Sequence, residues 1–205
     1  RLAVREAGGR LEPHRLVYRE GRPQIAGNIT VNAEGSLHVL VMPTELKGRP
    51  DHRLDVWVRA TFAAACGMRG DTLVVSRDGE RARLDRRPPM ALEQARAALD
   101  NLLHLCQQAR RHPLAFGPKT SFAVFDAGRC GADDTAKALH AWQQQPKGPP
   151  GEGDGASAQL AWRDRDPFAG DTMDEWRRLA AEVFGPVGDW FAQTATVSRY
   201  GAASD

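Results

Sequence analysis

Residues 24–48 read QIAGNITVNAEGSLHVLVMPTELKG, and the fold turns on how they are parsed. Ile25, Gly27, Ile29 and Val31 fall on one alternation, and Leu37, Val39 and Val41 on another. This is the period of strands, and it predicts two of them, over about 24–32 and 37–43. Ala33-Glu34-Gly35-Ser36 joins them, with Gly35 free to take a positive φ. From about residue 52 to 66 the spacing becomes helical. Leu54, Trp57 or Val58, Thr61 or Phe62, and Ala65 share a face, and Gly67 is a natural stop.

Upstream, Leu2–Arg5 and Arg15–Arg19 read as short strands, separated by Gly8-Gly9 and Pro13. Downstream, Leu73–Ser76 and Ala82–Leu84 bracket Asp78-Gly79, which predicts a hairpin closed by a type I′ turn. Pro88-Pro89 ends that unit. A long helix is expected over about 91–111, with Leu92, Ala95, Leu99, Leu102, Leu103 and Cys106 at helical spacing. Leu114–Asp126 is aromatic-rich and broken at Gly117-Pro118, with a short helix after the break. Asp133 or Asp134 can cap a helix through about Gln145. Gln143–Gly155 has loop composition, and 146–155 reads as a surface loop inside one domain spanning 1–205. Thr172-x-x-Glu175 forms a capping box. An apolar stripe of Trp176, Leu179, Ala180, Val183 and Phe184 follows, ended by Gly185-Pro186. The tail from about residue 190 has no strong pattern.

The chain has 205 residues, 41% of them hydrophobic, enough for one core of ordinary size. It begins at Arg1 rather than Met, which suggests a piece of something longer. No run of about 18 apolar residues and no signal-peptide pattern is present, so no membrane span is expected. Cys66, Cys106 and Cys130 are odd in number and far apart. They form neither a disulfide framework nor a zinc motif, and fit a reducing cytoplasm. Residues 1–120 carry 20 Lys and Arg against 13 Asp and Glu, and residues 121–205 carry 8 against 13. A basic body with an acidic remainder suits a polyanion on one face and a protein on another, or a mixed solvated surface.

Hairpin followed by helix is also the core of small α/β nucleases. Their chemistry places one acid on the first strand, and an acid and a Lys two apart on the second, to hold a divalent metal and stabilise developing charge. Here Gly27-Asn28-Ile29-Thr30 has the shape of Gly-x-x-Asp with Thr30 in place of the acid. The apolar register of the next strand puts Val41 at the second acid and Pro43 at the Lys. An alternative is Glu45-x-Lys47, which shares that parity if the strand continues past Pro43. The Arg-rich hairpin, with Arg77, Arg81, Arg83, Arg86 and Arg87, can track phosphates, although Asp78, Glu80 and Asp85 interleave with it. His14, His38, His52, His104, His112 and His140 have no ligand spacing. Trp162 and Phe168 suit either base stacking or core packing. No cofactor or metal site is expected.

Several segments in order resemble the C-terminal part of the RecC family, the gamma subunits of exodeoxyribonuclease V. They are GNIT…VLVMPTELKG, HRLDVWVRATFAAACG, VVSRDGERARL, HPLAFGPKTSFAVF, GEGDG with LAWRDRDPF, and WRRLAAEVFGPV, and they span about Gln24 to Val187. GEGDG is less acidic than the family's GE-x-D-D form, and the first 23 residues match less clearly. The resemblance implies an α/β (α+β) fold of the PD-(D/E)xK restriction-endonuclease-like type, a central mixed sheet flanked by helices, with its active site lost. It implies a non-catalytic, DNA-handling module of an ATP-dependent helicase–nuclease that processes double-strand DNA ends in recombinational repair. RecB-like and RecD-like subunits and DNA would be the partners. Chi recognition is not placed here, because that family's strand channel is built largely from other domains. Two further readings stand beside this one: a metal-dependent nuclease using Glu45 and Lys47, and a protein-interaction domain without DNA contact.

Overall fold

In the computed structural model the opening stretch forms two neighbouring strands, at the centre of the sheet that the flanking residues extend. The residues described are 2–19, 24–143, 150–163, 165–193 and 195–200. The strands are β1 (Leu11–Tyr18), β2 (Ile25–Asn32), β3 (Leu37–Glu45), β4 (Asp71–Asp78), β5 (Arg81–Arg87) and β6 (Thr196–Tyr200), side by side in chain order. All neighbours are antiparallel except β3 and β4, which run parallel. Helix α2 (Pro50–Ala65) makes the crossover that a parallel pair requires. The result is a six-stranded mixed sheet flanked by helices, consistent with an α+β nuclease-like fold.

The described residues fall into two compact units. The first comprises residues 1–104 and 190–205, and the second residues 105–189. Helices α3 (Leu92–Ala109) and α7 (Thr172–Ala192) each cross the boundary between them.

In the first unit, α2 lies on one face of the sheet. Its buried residues are mostly small (Ala60, Ala63, Ala64 and Ala65 beside Val56 and Trp57), which lets the helix axis approach the strands closely. Ala64 and Ala65 pack with Tyr18 of β1 and with Ala95 and Leu99 of α3. The helix ends in a paired motif: Gly67, at φ +92°, donates to Ala64, and Met68 donates to Ala63. The chain then turns tightly enough that a Cβ on Gly70 would lie 1.9 Å from the Ser36 carbonyl oxygen, so only glycine fits there.

The opposite face carries helix α1 (Leu2–Glu6), where the sequence suggested a strand over Leu2–Arg5. Leu2, Ala3 and Ala7 lie at helical spacing and cover Leu37, Val39, Leu73 and Leu84. Burial of that stripe outweighs the β propensity of Val4, which remains exposed. The second expected strand is longer than foreseen, running from Leu11 through Pro13. Proline is tolerated there because β1 is an edge strand. The patternless tail contributes β6 on the other edge, from Thr196 to Tyr200 against Arg86 to Ala82. The β4–β5 hairpin forms as predicted with a different turn. Asp78 pairs with Arg81, and only Gly79 has positive φ, at +63°. Glycine at the first central position is the mark of type II′ rather than I′.

The second unit is helical, with α4 (Pro118–Cys130), α5 (Asp134–Trp142), α6 (Ala156–Trp162) and most of α7. Helix α4 begins at the Gly117-Pro118 break, with proline in its first turn. Asp133 caps α5 by accepting from the Ala136 N–H at 3.0 Å. The Gly185-Pro186 pair does not end α7, which continues to Ala192. A mid-helix proline costs about 3 kcal/mol. Val183, Phe184, Val187 and Trp190, all buried, continue the apolar stripe across it and offset that cost. Phe184 is ringed by Phe116, Phe122 and Phe125 at centroid distances of 6.2, 5.4 and 6.3 Å.

GEGDG forms a clasp in this unit. Glu152 accepts from the N–H groups of Lys119 and Thr120 at 3.2 and 2.9 Å, capping α4, whose own N-cap Gly117 has no side chain to do so. Gly153 lies against Trp142, where an added Cβ would stand 2.2 Å from the indole Nε1. Of the expected loop, residues 146–149 lie outside the described residues, as do the last residues of the helix expected through Gln145. Residues 152–154 form a 3₁₀ turn.

Two stability predictions follow from this packing. Glu152→Ala should lower stability by about 1 kcal/mol and Glu152→Gln by less, because the amide oxygen still accepts, and thermal unfolding should rank them so. His38, on β3, is buried, and neither ring nitrogen has a hydrogen-bond partner among the described residues. Burial, and then the nearby Arg59 charge, depress its pKa to about 4. The unfolded chain therefore binds a proton near pH 6.5 that the folded chain refuses until about pH 4. Stability should fall by about 3 kcal/mol as pH drops through that window. Urea titrations of wild type and His38→Leu at pH 7 and pH 4.5 should show the variant losing much less on acidification. The variant should also be the more stable at pH 7, since it buries no orphaned nitrogen.

Candidate functional site

Thr30 on β2 and Val41 on β3 face a gap. The two strands share one residue pair, Val31 with His38, and diverge beyond it. The opening is lined by Ile25, Gly27, Ile29 and Thr30 from β2, by Val39 and Val41 from β3, and by Phe62 of α2. Gly27 lets the Phe62 ring close, since a Cβ there would stand 3.1 Å from it. Thr30 and Val41 both reach solvent, and Val41 is 60% exposed. Val41 faces a groove lined mainly by apolar groups, where a metal site needs carboxylates.

Beyond Val41 the structure departs from the expected strand end near Pro43. β3 continues to Glu45, with a bulge: Val41 pairs with Val75 and Glu45 with Arg77, so three residues face one. Proline has no N–H to give the ladder, and the bulge takes it out of register. Pro43 is exposed within it. Glu45 therefore lies on the strand as its alternative reading required, and its carboxylate accepts from the Gly79 N–H at 2.9 Å, bracing the hairpin turn. Lys47 lies past the strand end, exposed.

Glu45 and Lys47 line a second cavity, with Arg53, Arg77, Arg83, Arg87 and Arg199. Asp78 and Asp85 also line it, and each is already paired. Asp78 holds Arg199 at 2.8 Å, which keeps its carboxyl below the usual range. Asp85, almost fully buried, holds Arg83 at 2.9 Å. Six cations thus face three acids, and each of the acids is engaged. Among the described residues, no three His, Cys, Asp or Glu side chains group as a metal ion would need. The cavity favours an anion over a cation.

The structure separates the five arginines of the hairpin. Arg77, Arg83 and Arg87 line the cavity. Arg81 is exposed at the turn. Arg86 alternates to the other face of the sheet, where it pairs with Asp71 at 2.7 Å. Arg87 is buried, its guanidinium 4.9 and 4.7 Å from the ring centres of Trp190 and Phe191. Its Nη1 donates to the Trp190 carbonyl at 2.9 Å, in the last turn of α7. Arg53 and Arg199 were not foreseen as site residues. Arg53 comes from α2 and Arg199 from the unpatterned tail, so only the fold brings them to the hairpin.

His52, Trp162 and Phe168 have structural uses. His52 contacts Thr44 Oγ1 at 2.6 Å and Arg49 Nη2 at 3.0 Å. Trp162 and Phe168 pack on the second unit's core with Trp142 and Trp176, as core packing rather than base stacking predicts. No helix among the described residues is long and apolar enough to cross a membrane.

Comparison with known proteins agrees with the order of segments. The family model described as the RecC C-terminal domain matches residues 3–129. Two curated proteins named RecBCD enzyme subunit RecC, from Mycobacterium tuberculosis strains CDC 1551 / Oshkosh and ATCC 25618 / H37Rv, are each 30% identical over 169 residues. That is 82% of this chain, and the chain spans 15% of the length of those relatives. With the matched hairpin, crossover helix and sheet described above, the chain belongs to the RecC C-terminal domain family.

Proposed function

We propose that this chain is a non-catalytic module of a helicase–nuclease that processes double-strand DNA ends in the cytoplasm. It contacts RecB-like and RecD-like subunits and handles DNA through its arginine-rich hairpin. The observation that carries this reading is the chemistry of the β2–β3 gap. In this reading Thr30 and Val41, which line the gap, and Pro43, in the bulge beyond it, stand in for the acids and the lysine that a nuclease of this fold would hold. A hydroxyl, an isopropyl group and an imide ring offer no carboxylate for a divalent ion and no ammonium for developing charge. The neighbouring Glu45 and Lys47 sit instead in a cavity of net positive charge, which opposes metal binding. Membership of the RecC C-terminal domain family supports the assignment to a DNA-end-processing complex.

DNA contact rests on Arg81 and on the cations around Arg77 and Arg83, which supply the sequence-independent attraction that a moving strand requires.

The experiment is incubation of single- and double-stranded DNA with the chain and Mg²⁺ or Mn²⁺, beside a Lys47→Ala variant. No cleavage by either protein is expected, and cleavage that disappears with Lys47 would replace this reading by a nuclease centred on Glu45. In the same preparations DNA binding should weaken steeply with salt. Arg81→Ala should reduce the slope of log K against log salt by about 0.7 to 0.9, one phosphate contact. A salt-independent affinity would point to a protein-interaction role alone.

A further inference from the structure

The cavity beside the β4–β5 hairpin is built around one aromatic ring. The guanidinium of Arg53 lies 4.5 Å from the centre of Phe191 and that of Arg87 lies 4.7 Å from it. Trp190 stands edge-on to Phe191, with ring centres 5.0 Å apart and planes at 87°. Stacking on an aromatic ring engages the flat face of a guanidinium and leaves its N–H edge free to donate. The ring therefore works as a rack that holds both guanidiniums close to its centre.

The donors so fixed are under-used. Arg53 makes no ion pair with any described residue. Arg87, its side chain only 5% exposed, donates from Nη1 to the Trp190 carbonyl, but its buried Nε has no partner among the described residues. Asp85 lies 4.0 Å from the Arg87 Nη2, beyond hydrogen-bond reach, and is held instead by Arg83. Burial pushes the pKa of both Arg53 and Arg87 down, so both charges would gain from a further counter-charge. A bound oxyanion would remedy both deficits.

We propose that this cavity is a phosphate-binding site, in which the N–H edges of Arg53 and Arg87, backed by Lys47 and Arg77, receive one phosphate group. Resting on the DNA-handling reading above, the phosphate is one of a nucleic-acid backbone that passes the hairpin. No base stacks on Phe191, because the two guanidiniums already engage the ring. The site reads backbone and not sequence.

The test titrates pyrophosphate into the whole chain by calorimetry, with a short single strand and the matching duplex as competitors. Arg53→Gln removes one donor edge. Phe191→Leu keeps every charge but removes the rack. Each should weaken pyrophosphate about tenfold, whereas Arg81→Ala should leave it unchanged. Lys47→Ala, at an exposed position that folding does not depend on, should weaken it about threefold. Displacement by the single strand or by the duplex identifies the carrier. Absence of pyrophosphate binding, or binding indifferent to Arg53→Gln and Phe191→Leu in variants that unfold at the wild-type temperature, overturns the site. DNA that binds and is weakened by Arg81→Ala alone would likewise remove the cavity and leave the DNA reading standing. Pyrophosphate bound through Arg53 with no competition from DNA would keep the site and remove the DNA reading.

Discussion

Strand β3 is bonded along its length on one side only, and much of the first unit follows from that asymmetry. It pairs parallel with β4 from Leu37 to Val41, but meets β2 at a single pair, Val31 with His38. A parallel pair needs a crossover, and α2 supplies it with an alanine-rich face laid close on the sheet. The missing ladder on the other side opens the gap in which Thr30 and Val41 stand. Among the described residues, none of those lining that gap is an Asp or Glu. The pairing also sets where β3 must yield. Pro43 cannot donate to the ladder, so the strand bulges there and delivers Glu45 to the β4–β5 turn rather than to the gap.

The hairpin that receives Glu45 is held from several directions. Gly79 donates to Glu45, Arg199 of β6 pairs with Asp78, and Arg87 at the hairpin's base caps the carbonyls at the end of α7. Exposed pairs such as Arg199 with Asp78 contribute little stability individually. The buried Arg87 is a different case. Removing its aromatic and carbonyl partners would strand a charge in the interior, so its retention there needs the Trp190 and Phe191 rings as much as any acid.

The second unit has a separate logic. Its core is aromatic, and its connections are fixed by polar contacts. The Trp176 indole donates to the Pro167 carbonyl at 2.9 Å, and Arg177 of α7 pairs with Asp134 at the start of α5 at 2.6 Å. The GEGDG segment, flexible by composition, serves as the cap of α4 and packs against Trp142. Its glycines reflect close approach rather than mobility: a side chain at Gly151 or Gly153 would collide with Gln143 or Trp142.

The sequence by itself determined the parts of this protein that depend on local periodicity and turn chemistry. β2, β3, the β4–β5 hairpin, the long α3, the proline-led start of α4 and the Asp133 cap all follow from residues within a few positions of one another. So does the parity of Leu37, Val39 and Val41 along β3, because alternation sets which side chains share a face, whereas the bulge takes Pro43 out of that register. Tertiary structure decided the rest. Leu2–Glu6 is helical because its apolar stripe finds the sheet, and α7 passes through Pro186 because the buried residues on either side hold it. β6 adds to the edge through backbone pairing, which leaves almost no mark on side-chain pattern. The Arg53–Phe191–Arg87 stack draws on α2, β5 and the end of α7. Phe191 lies more than a hundred residues from either arginine in the chain, and no periodicity links positions that meet only when the fold closes.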